Sequence, residues 1–281
     1  MPVMVRPVLK WVGGKRRLIE QIICLFPENY LDRAYHEPFF GGGALFFHLE
    51  PNRGSINDVN KRLMNFYRVL KEKPKELIEE ASQYIYDKAE YYRLRTRFNE
   101  EHLSDVEDAA ILLYLNKTGY NGLYRVNSKG KYNVPFGRYK NPRIVDEERI
   151  IEASKLLENI SINSERFYSV KKHAEMGDLV YFDPPYLPVS ETSDFTAYSK
   201  SGFGYEDHVL LKNTCLDLDQ RGVYFVQSNS YVEPILDLYK DIGFRIEIVQ
   251  MNRAINSKTS KRGGVNEILV TNIPKKKIDT Q

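Results

Sequence analysis

Leu179-Val180-Tyr181-Phe182, followed at once by Asp183-Pro184-Pro185-Tyr186, is an apolar run cut off by two prolines. A short apolar run bounded by turn signals reads as a buried strand. Proline has no backbone donor for the ladder of a central strand, so this strand stops at Asp183 and leaves the carboxylate at its C-terminal edge. That edge is where open α/β sheets bind their ligands. The tetrapeptide offers one carboxylate, the carbonyls of a donor-poor backbone and an aromatic face. Such a set suits a flat, amine-bearing ring: the carboxylate and a carbonyl accept from the NH2 and Tyr186 stacks on the ring. A proline-rich turn that merely follows a strand is the structural alternative.

Outward from this strand the chain alternates. A helix is expected over about 146–158, strands near 159–162 and 179–182, and a helix near 206–221. Val223–Gln227 then reads as a strand, Pro234 opens a helix, and 244–251 and 267–271 are the last strands. This alternation predicts an α/β fold, a mostly parallel sheet with helices on both faces. Residues 58–107 are helical in pattern, with Leu63, Phe66, Tyr67 and Leu70 at helical spacing and Pro74 starting a new helix. A further helix is expected over about 106–117, with Ala110, Leu113 and Tyr114 on one face. The helical and basic middle, 61–146, reads as an insertion between a catalytic domain's two parts, 1–60 and 147–281.

The net charge is only +3, but it is unevenly placed. Lys117, Arg125, Lys129, Lys131, Arg138, Lys140 and Arg143 lie in a segment without Asp or Glu. With +3 overall and +7 in this segment, the rest of the chain carries −4. Tyr120, Tyr124, Tyr132, Phe136 and Tyr139 are interleaved with glycines 119, 122, 130 and 137. Basic residues mixed with aromatics and glycines make a phosphate-seeking, base-stacking surface; a solvated basic loop is the plain alternative. Asn127-Ser-Lys-Gly130 reads as a hairpin turn between 123–126 and 131–134.

Glu37-Pro-Phe-Phe-Gly-Gly-Gly-Ala-Leu-Phe46 has the form of a strand, a glycine turn and a helix start. The acid that ends Ile56-Asn57-Asp58 is placed like the ribose-binding acid of dinucleotide folds. No phosphate-neutralising residue accompanies the glycines, so a nucleoside cofactor without a pyrophosphate fits better. Lys10-Trp-Val-Gly-Gly-Lys15 lacks the glycine spacing and the Ser/Thr of a phosphate loop. Trp11 is the single tryptophan, and a core role is its plain alternative.

Other chemistries lack their parts. There is no Gly-x-Ser-x-Gly elbow and no His-x-Glu with Pro-Cys-x-x-Cys for zinc deamination. Neither cysteine follows a proline, as attack on a pyrimidine ring would ask. Five histidines without ligand spacing predict no metal. Cys24 and Cys215 are read as two reduced, partly buried thiols in a cytoplasmic protein. No apolar run reaches the ~18 residues of a membrane helix, and the N-terminus does not read as a signal peptide.

Together these pieces resemble the Dam-type DNA adenine-N6 methyltransferases that use S-adenosylmethionine, and most closely the branch that modifies GATC in the DpnII restriction system. The match runs through Lys10-Trp11, Gly13-Gly14-Lys15, Glu37-Pro38-Phe39, Gly41-x-Gly43 and Asn57-Asp58-Val59-Asn60. It continues through Asn116 to Asn127, Asn133 to Pro142, Asp183 to Tyr186, Phe195-Thr196-x-Tyr198 and Ser228-Asn229. Asp-Pro-Pro-Tyr alone also occurs in enzymes that methylate RNA and protein amides; the central segment is what points to duplex DNA.

The resemblance implies a Rossmann-like class I methyltransferase sheet with an inserted target-recognition domain of helices and a β-hairpin. Trp11 would stack on the cofactor adenine, Lys15 approach its carboxylate, and Phe39, Gly41 and Gly43 line it. Asp58 would hold the ribose, with Glu165 and Phe167 as further contacts. Asp183, the Pro184 carbonyl and Tyr186 would hold the target adenine, with Asp183 also beside the cofactor. Tyr120 and Asn121 would fill the gap left by an extruded base. Leu123, Arg125 and Pro135 would read the GATC edges, Lys10 the other guanine, and Arg138 a phosphate. A cognate restriction endonuclease, a monomeric state and a nucleoid-associated location complete the expectation, S-adenosylhomocysteine being the product. Two rivals stand beside it: a methyltransferase of RNA or protein amides, and a non-enzymatic DNA-binding relic of the fold.

Overall fold

The computed structural model describes residues 5–13, 15, 17–187, 202–251 and 265–275. Gly14 and the Phe195-Thr196-x-Tyr198 match lie outside the described residues. Among the described residues the strands β1 (Tyr35–Glu37), β2 (Gly54–Asn57), β3 (Ile160–Asn163), β4 (Leu179–Phe182), β5 (Tyr224–Ser230), β6 (Arg245–Met251) and β7 (Val265–Thr271) form one sheet. Its order is β3-β2-β1-β4-β5-β7-β6, flanked by helices. β1 and β4 are parallel neighbours that are not consecutive in the chain, so the winding direction reverses between them. That reversal is the switch point where doubly wound sheets open a crevice at their strand ends.

The far edge departs from the parallel expectation: β7 runs antiparallel to both β5 and β6. β5 is also longer than its sequence suggested. Ser228-Asn-Ser230 reads as a strand end because these residues favour turns. Pairing of Ser228 with Leu269 and of Ser230 with Glu267 nevertheless keeps the strand running. Tertiary pairing overrides local preference here.

The chain divides into two compact units. The first comprises 1–15, 40–52 and 56–165, the second 16–39, 53–55 and 166–281. Two short helices, α1 (Ile19–Ile23) and α2 (Phe46–Leu49), come first in the chain. In the first unit α3 (Lys61–Glu72), α4 (Pro74–Ser82), α5 (Lys88–Glu100), α6 (Asp105–Thr118) and α7 (Glu147–Leu157) pack together. Ser104 starts α6 with a reciprocal cap: its hydroxyl accepts from the Glu107 amide while the Glu107 carboxylate accepts from the Ser104 amide. The sequence suggested one apolar face for α6. Instead Asp108 to Thr118 are all buried, because neighbouring helices cover it from several sides. Residues 123–134 turn back as a hairpin, but only Val126 and Tyr132 form a bridge. Asn127, Ser128 and Gly130 are turn formers that occupy the middle of the segment and leave that ladder short.

In the second unit Val180 and Phe182 of β4, Phe225 of β5 and Ile268 of β7 pack against Leu211 and Leu218 of α8 (Tyr205–Gln220). Both cysteines are free; Cys215 is buried in this core, whereas Cys24 is exposed rather than partly buried. Cys24 lies at the end of a five-residue helix that turns only isoleucines inward.

His208 of α8 is buried. Asn229 Nδ2 faces its Nδ1 at 3.3 Å, so Nδ1 accepts and the ring is neutral. Its Nε2 finds no partner among the described residues. Burial lowers its pKa to about 4. A histidine whose folded pKa is depressed contributes stability that is complete above its unfolded pKa and is lost as pH falls towards the folded value. Unfolding free energy is therefore expected to drop by up to about 2 kcal/mol from this group between pH 6.5 and 5. Urea midpoints at the two pH values should differ less in His208→Leu than in the parent. Equal differences in the two proteins would remove His208 from the pH dependence.

Candidate active site

In the second unit β4 ends where the prolines begin. Asp183 follows Phe182, and Phe182 pairs with Gln227 of β5, so Asp183 comes level with Ser228. The Ser228 hydroxyl lies 3.4 Å from Asp183 Oδ1 and 2.6 Å from the Tyr181 hydroxyl. Asp183 is half-buried, Pro184 buried and Pro185 exposed. The carboxylate thus stands at the mouth of the switch point, backed by a hydroxyl pair.

Tyr186, half-buried, donates its hydroxyl to Glu267 Oε2 of β7 at 2.6 Å. Burial first, and then the Asp183 carboxylate, holds the phenol pKa well above its ordinary value. Tyr186 is therefore a protonated donor, anchored at its tip. Beside β1, Phe39 stacks on Phe167 at 5.2 Å and 23° and meets Phe182 edge-on at 6.4 Å. Two residues expected at the cofactor, Phe39 and Phe167, are brought together.

In the first unit the glycine turn and Asp58 meet directly. The Gly41 amide donates to Asp58 Oδ2 at 3.0 Å and the Asn60 amide to Oδ1 at 2.9 Å. Burial raises the Asp58 pKa, while these two amide bonds pull it down. Trp11 lies over the turn: a Cβ at Gly42 would come within 2.6 Å of the Trp11 Cβ, and one at Gly41 within 2.8 Å of its ring. Only glycine lets the indole sit there, and Gly41 also has φ +50. Gly43, with φ +65, abuts the Phe40 ring. The Asn57 side chain brackets Glu165, accepting from its amide at 2.8 Å and donating to its carbonyl at 3.0 Å. Lys15 is half-buried just beyond Gly13.

The residues expected on DNA also belong to the first unit. Tyr120, Asn121, Arg125, Pro135 and Arg138 are exposed and Leu123 is half-buried. Asn121 holds a left-handed conformation, φ 53. The Tyr120 amide donates to the Pro135 carbonyl at 2.9 Å, joining two of them. The Lys10 ammonium lies 4.4 Å from the centre of the Tyr139 ring.

Several partners were not marked by sequence reasoning. Tyr124 stacks on Trp11 at 5.3 Å and 22°. Glu267, buried on β7, anchors Tyr186; an acid in the apolar stretch Glu267-Ile-Leu-Val was the available signal. Ser228, matched but given no role, stands beside Asp183.

A carboxylate, a proline carbonyl and an aromatic ring at a switch point can hold an amino-substituted base. A ribose-type acid beside a glycine turn and an indole can hold a nucleoside. The model of the D12 class N6 adenine-specific DNA methyltransferases matches residues 11–255 of the chain. The chain belongs to this family. Its activity is methylation of adenine N6 in DNA, and membership implies S-adenosylmethionine as methyl donor. The enzyme is 46% identical over 274 residues to the type II methyltransferase M1.LlaDCHI of Lactococcus lactis subsp. cremoris, covering 95% of each chain. It is 41% identical to the type II methyltransferase M.MjaIII of Methanocaldococcus jannaschii, over 95% of this chain and 99% of that one. To the DNA adenine methylase of Escherichia coli (strain K12) it is 32% identical, over 94% of each. The seven-stranded sheet accords with a class I methyltransferase fold. No described helix is long and apolar enough to cross a membrane.

Proposed function

We propose that this methyltransferase modifies the adenine of GATC in duplex DNA and reaches it by flipping the base. The observation that carries the chemistry is Asp183 at the end of β4, with the Pro184 carbonyl next to it and Tyr186 anchored to Glu267. Adenine N6 is a poor nucleophile because its lone pair is delocalised into the ring. Two acceptors, the Asp183 carboxylate and the Pro184 carbonyl, draw its protons and stabilise the positive charge that develops there. The Tyr186 ring stacks on the base and fixes its plane. When bound, S-adenosylmethionine supplies an electrophilic methyl on a sulfonium. Trp11, Phe39, Gly41, Gly43, Asp58, Glu165 and Phe167 are assigned to the cofactor, with Lys15 towards its carboxylate. The acceptor carboxylate, the glycine turn and the indole suit an adenosine with free ribose hydroxyls.

N6 is out of reach inside a duplex, so flipping costs a few kcal/mol, and Tyr120 and Asn121 fill the space left behind. Leu123, Arg125, Pro135 and Lys10 read the flanking pairs, and Arg138 takes a phosphate. Residues 61–146 form the target-recognition domain, and 1–60 with 147–281 the catalytic domain. A monomer acting at the nucleoid, paired with a cognate restriction endonuclease, completes the reading.

Transfer of labelled methyl to three duplexes tests it. One carries GATC, one GATC already N6-methylated on both strands, and one a scrambled site. Label on the first alone is expected. Equal label on the scrambled duplex would remove the GATC assignment, and label on RNA in preference to any duplex would remove the substrate.

Asp58 makes cofactor affinity pH-dependent. Ribose hydroxyls donate to the ionised carboxylate and so lower its raised pKa on binding. Affinity, followed by Trp11 fluorescence, is expected to weaken as pH falls through that pKa. Asp58→Asn should bind about tenfold or more weakly at neutral pH, as fits loss of hydrogen bonds to a charged group, with a flat pH profile. A variant profile parallel to the parent's would show that Asp58 is not the titrating contact.

A further inference from the structure

The elements assigned to base reading come from distant parts of the chain: Lys10 precedes the glycine turn, whereas Tyr120 and Asn121 follow α6. One buried side chain ties them together. Asn116, in the last turn of α6, is 2% exposed. Its Oδ1 accepts from the Lys10 amide at 2.8 Å. Its Nδ2 donates to the Lys10 carbonyl at 2.8 Å and to the Gly122 carbonyl at 3.1 Å. A side-chain amide carries the same donor and acceptor as a peptide unit, so Asn116 pairs with Lys10 as a neighbouring strand would. Its second N–H is spent on the loop that carries Tyr120 and Asn121.

Neighbouring contacts hold the same register. Lys117, also buried, donates its ammonium to the Val8 carbonyl at 2.5 Å. Gly122 has φ +62, and a Cβ on it would lie 2.5 Å from Lys10 Cδ and 2.7 Å from Lys10 Cβ, so the loop backbone rests on the lysine stem. The Tyr139 ring under the Lys10 ammonium donates its hydroxyl to the Gly119 carbonyl at 3.0 Å. Backbone, stem and ammonium of Lys10 are each referred to residues 116–122 or to a ring bonded to them.

We infer that Asn116 is a specificity-positioning residue: it sets the distance between Lys10 and the Tyr120–Asn121 loop, so that base reading by one and gap filling by the other occur in a single register. The inference rests on the proposed DNA roles of Lys10, Tyr120 and Asn121. Asparagine is required because aspartate, of the same shape, would turn an oxygen towards the Lys10 and Gly122 carbonyls where two N–H groups now point.

The test compares kcat/KM on a GATC duplex with kcat/KM on duplexes in which one outer G·C pair is replaced, for the parent, Asn116→Asp, Gly122→Ala and Lys10→Ala. Asn116→Asp is expected to lower the cognate-to-variant ratio about tenfold, within what one good base contact discriminates, and at the same pair that Lys10→Ala affects. A purely structural role would lower turnover on all duplexes alike and leave the ratios unchanged; that result overturns the inference. If Lys10→Ala shifts the ratio and Asn116→Asp does not, the positioning role falls while the base-reading role stands. If Lys10→Ala leaves every ratio unchanged, the base-reading role itself falls, and the inference with it. Should Asn116→Asp not fold, Gly122→Ala decides. It presses on the lysine stem without altering α6, and an unchanged ratio there overturns the inference equally.

Discussion

Asp183→Ala is expected to lower methyl transfer by about 10²- to 10³-fold or more, the scale set by removing one group that stabilises transition-state charge, while affinity for duplex DNA is largely retained. Alanine cannot accept from N6, so the Pro184 carbonyl alone remains to draw the amine towards tetrahedral geometry. The rest of the frame does not depend on the carboxylate. β4 is held by its ladders to β1 and β5, and the Tyr186 hydroxyl is held by Glu267. Asp183→Asn keeps the shape and one acceptor oxygen but turns an N–H into the site, and an intermediate rate is expected. Single-turnover methyl transfer alongside duplex titration separates the two effects. Turnover like the parent's in the alanine variant would overturn the mechanism, and loss of duplex binding in step with turnover would move Asp183 from chemistry to binding.

Arg125→Ala is expected to cost discrimination at one guanine position by about 1–3 kcal/mol, the worth of a bidentate arginine–guanine contact. The cognate-to-mismatch ratio at that pair would then fall by about 5- to 150-fold. The side chain is held by two bonds to Asn133. Arg125 Nε donates to Asn133 Oδ1 at 2.7 Å and Nη2 lies 3.3 Å from the Asn133 carbonyl. The Asn133 amide in turn donates to the Arg125 carbonyl at 3.0 Å. The guanidinium is thus oriented across the hairpin before any DNA arrives, which reduces the entropy lost on contact. Arg125→Lys keeps the charge but not the fork, so it should retain salt-dependent binding and lose most of the discrimination. The measurement is kcat/KM on GATC and on four duplexes each altered at one pair. Ratios unchanged at every pair would take Arg125 out of base reading.

Strand ends and helix starts were legible because their causes are local. Two prolines end β4 before Asp183, and Pro74 and Pro234 open helices; each signal lies within a few residues of its effect. The unit of residue types at Asp183–Tyr186, the glycine turn and the acid-free basic segment could likewise be read off the chain, because chemistry that needs those groups needs them at short spacing. The all-round burial of α6 could not, since an apolar face says nothing of how many neighbours cover a helix.

What only the tertiary structure decided are the pairings between distant residues. Tyr186 meets Glu267, Trp11 meets Tyr124, and Asn116 meets Lys10. Each joins groups that no periodicity of 2 or 3.6 relates, and each choice depends on which strands and loops pack side by side. The antiparallel β7 beside β5, which extends that strand through Ser230, is of the same kind. By itself the sequence determined which groups the enzyme carries and where its elements end, because steric and donor limits act residue by residue. The fold decided which of those groups face one another, because hydrogen-bond and stacking partners are selected by packing across the whole chain.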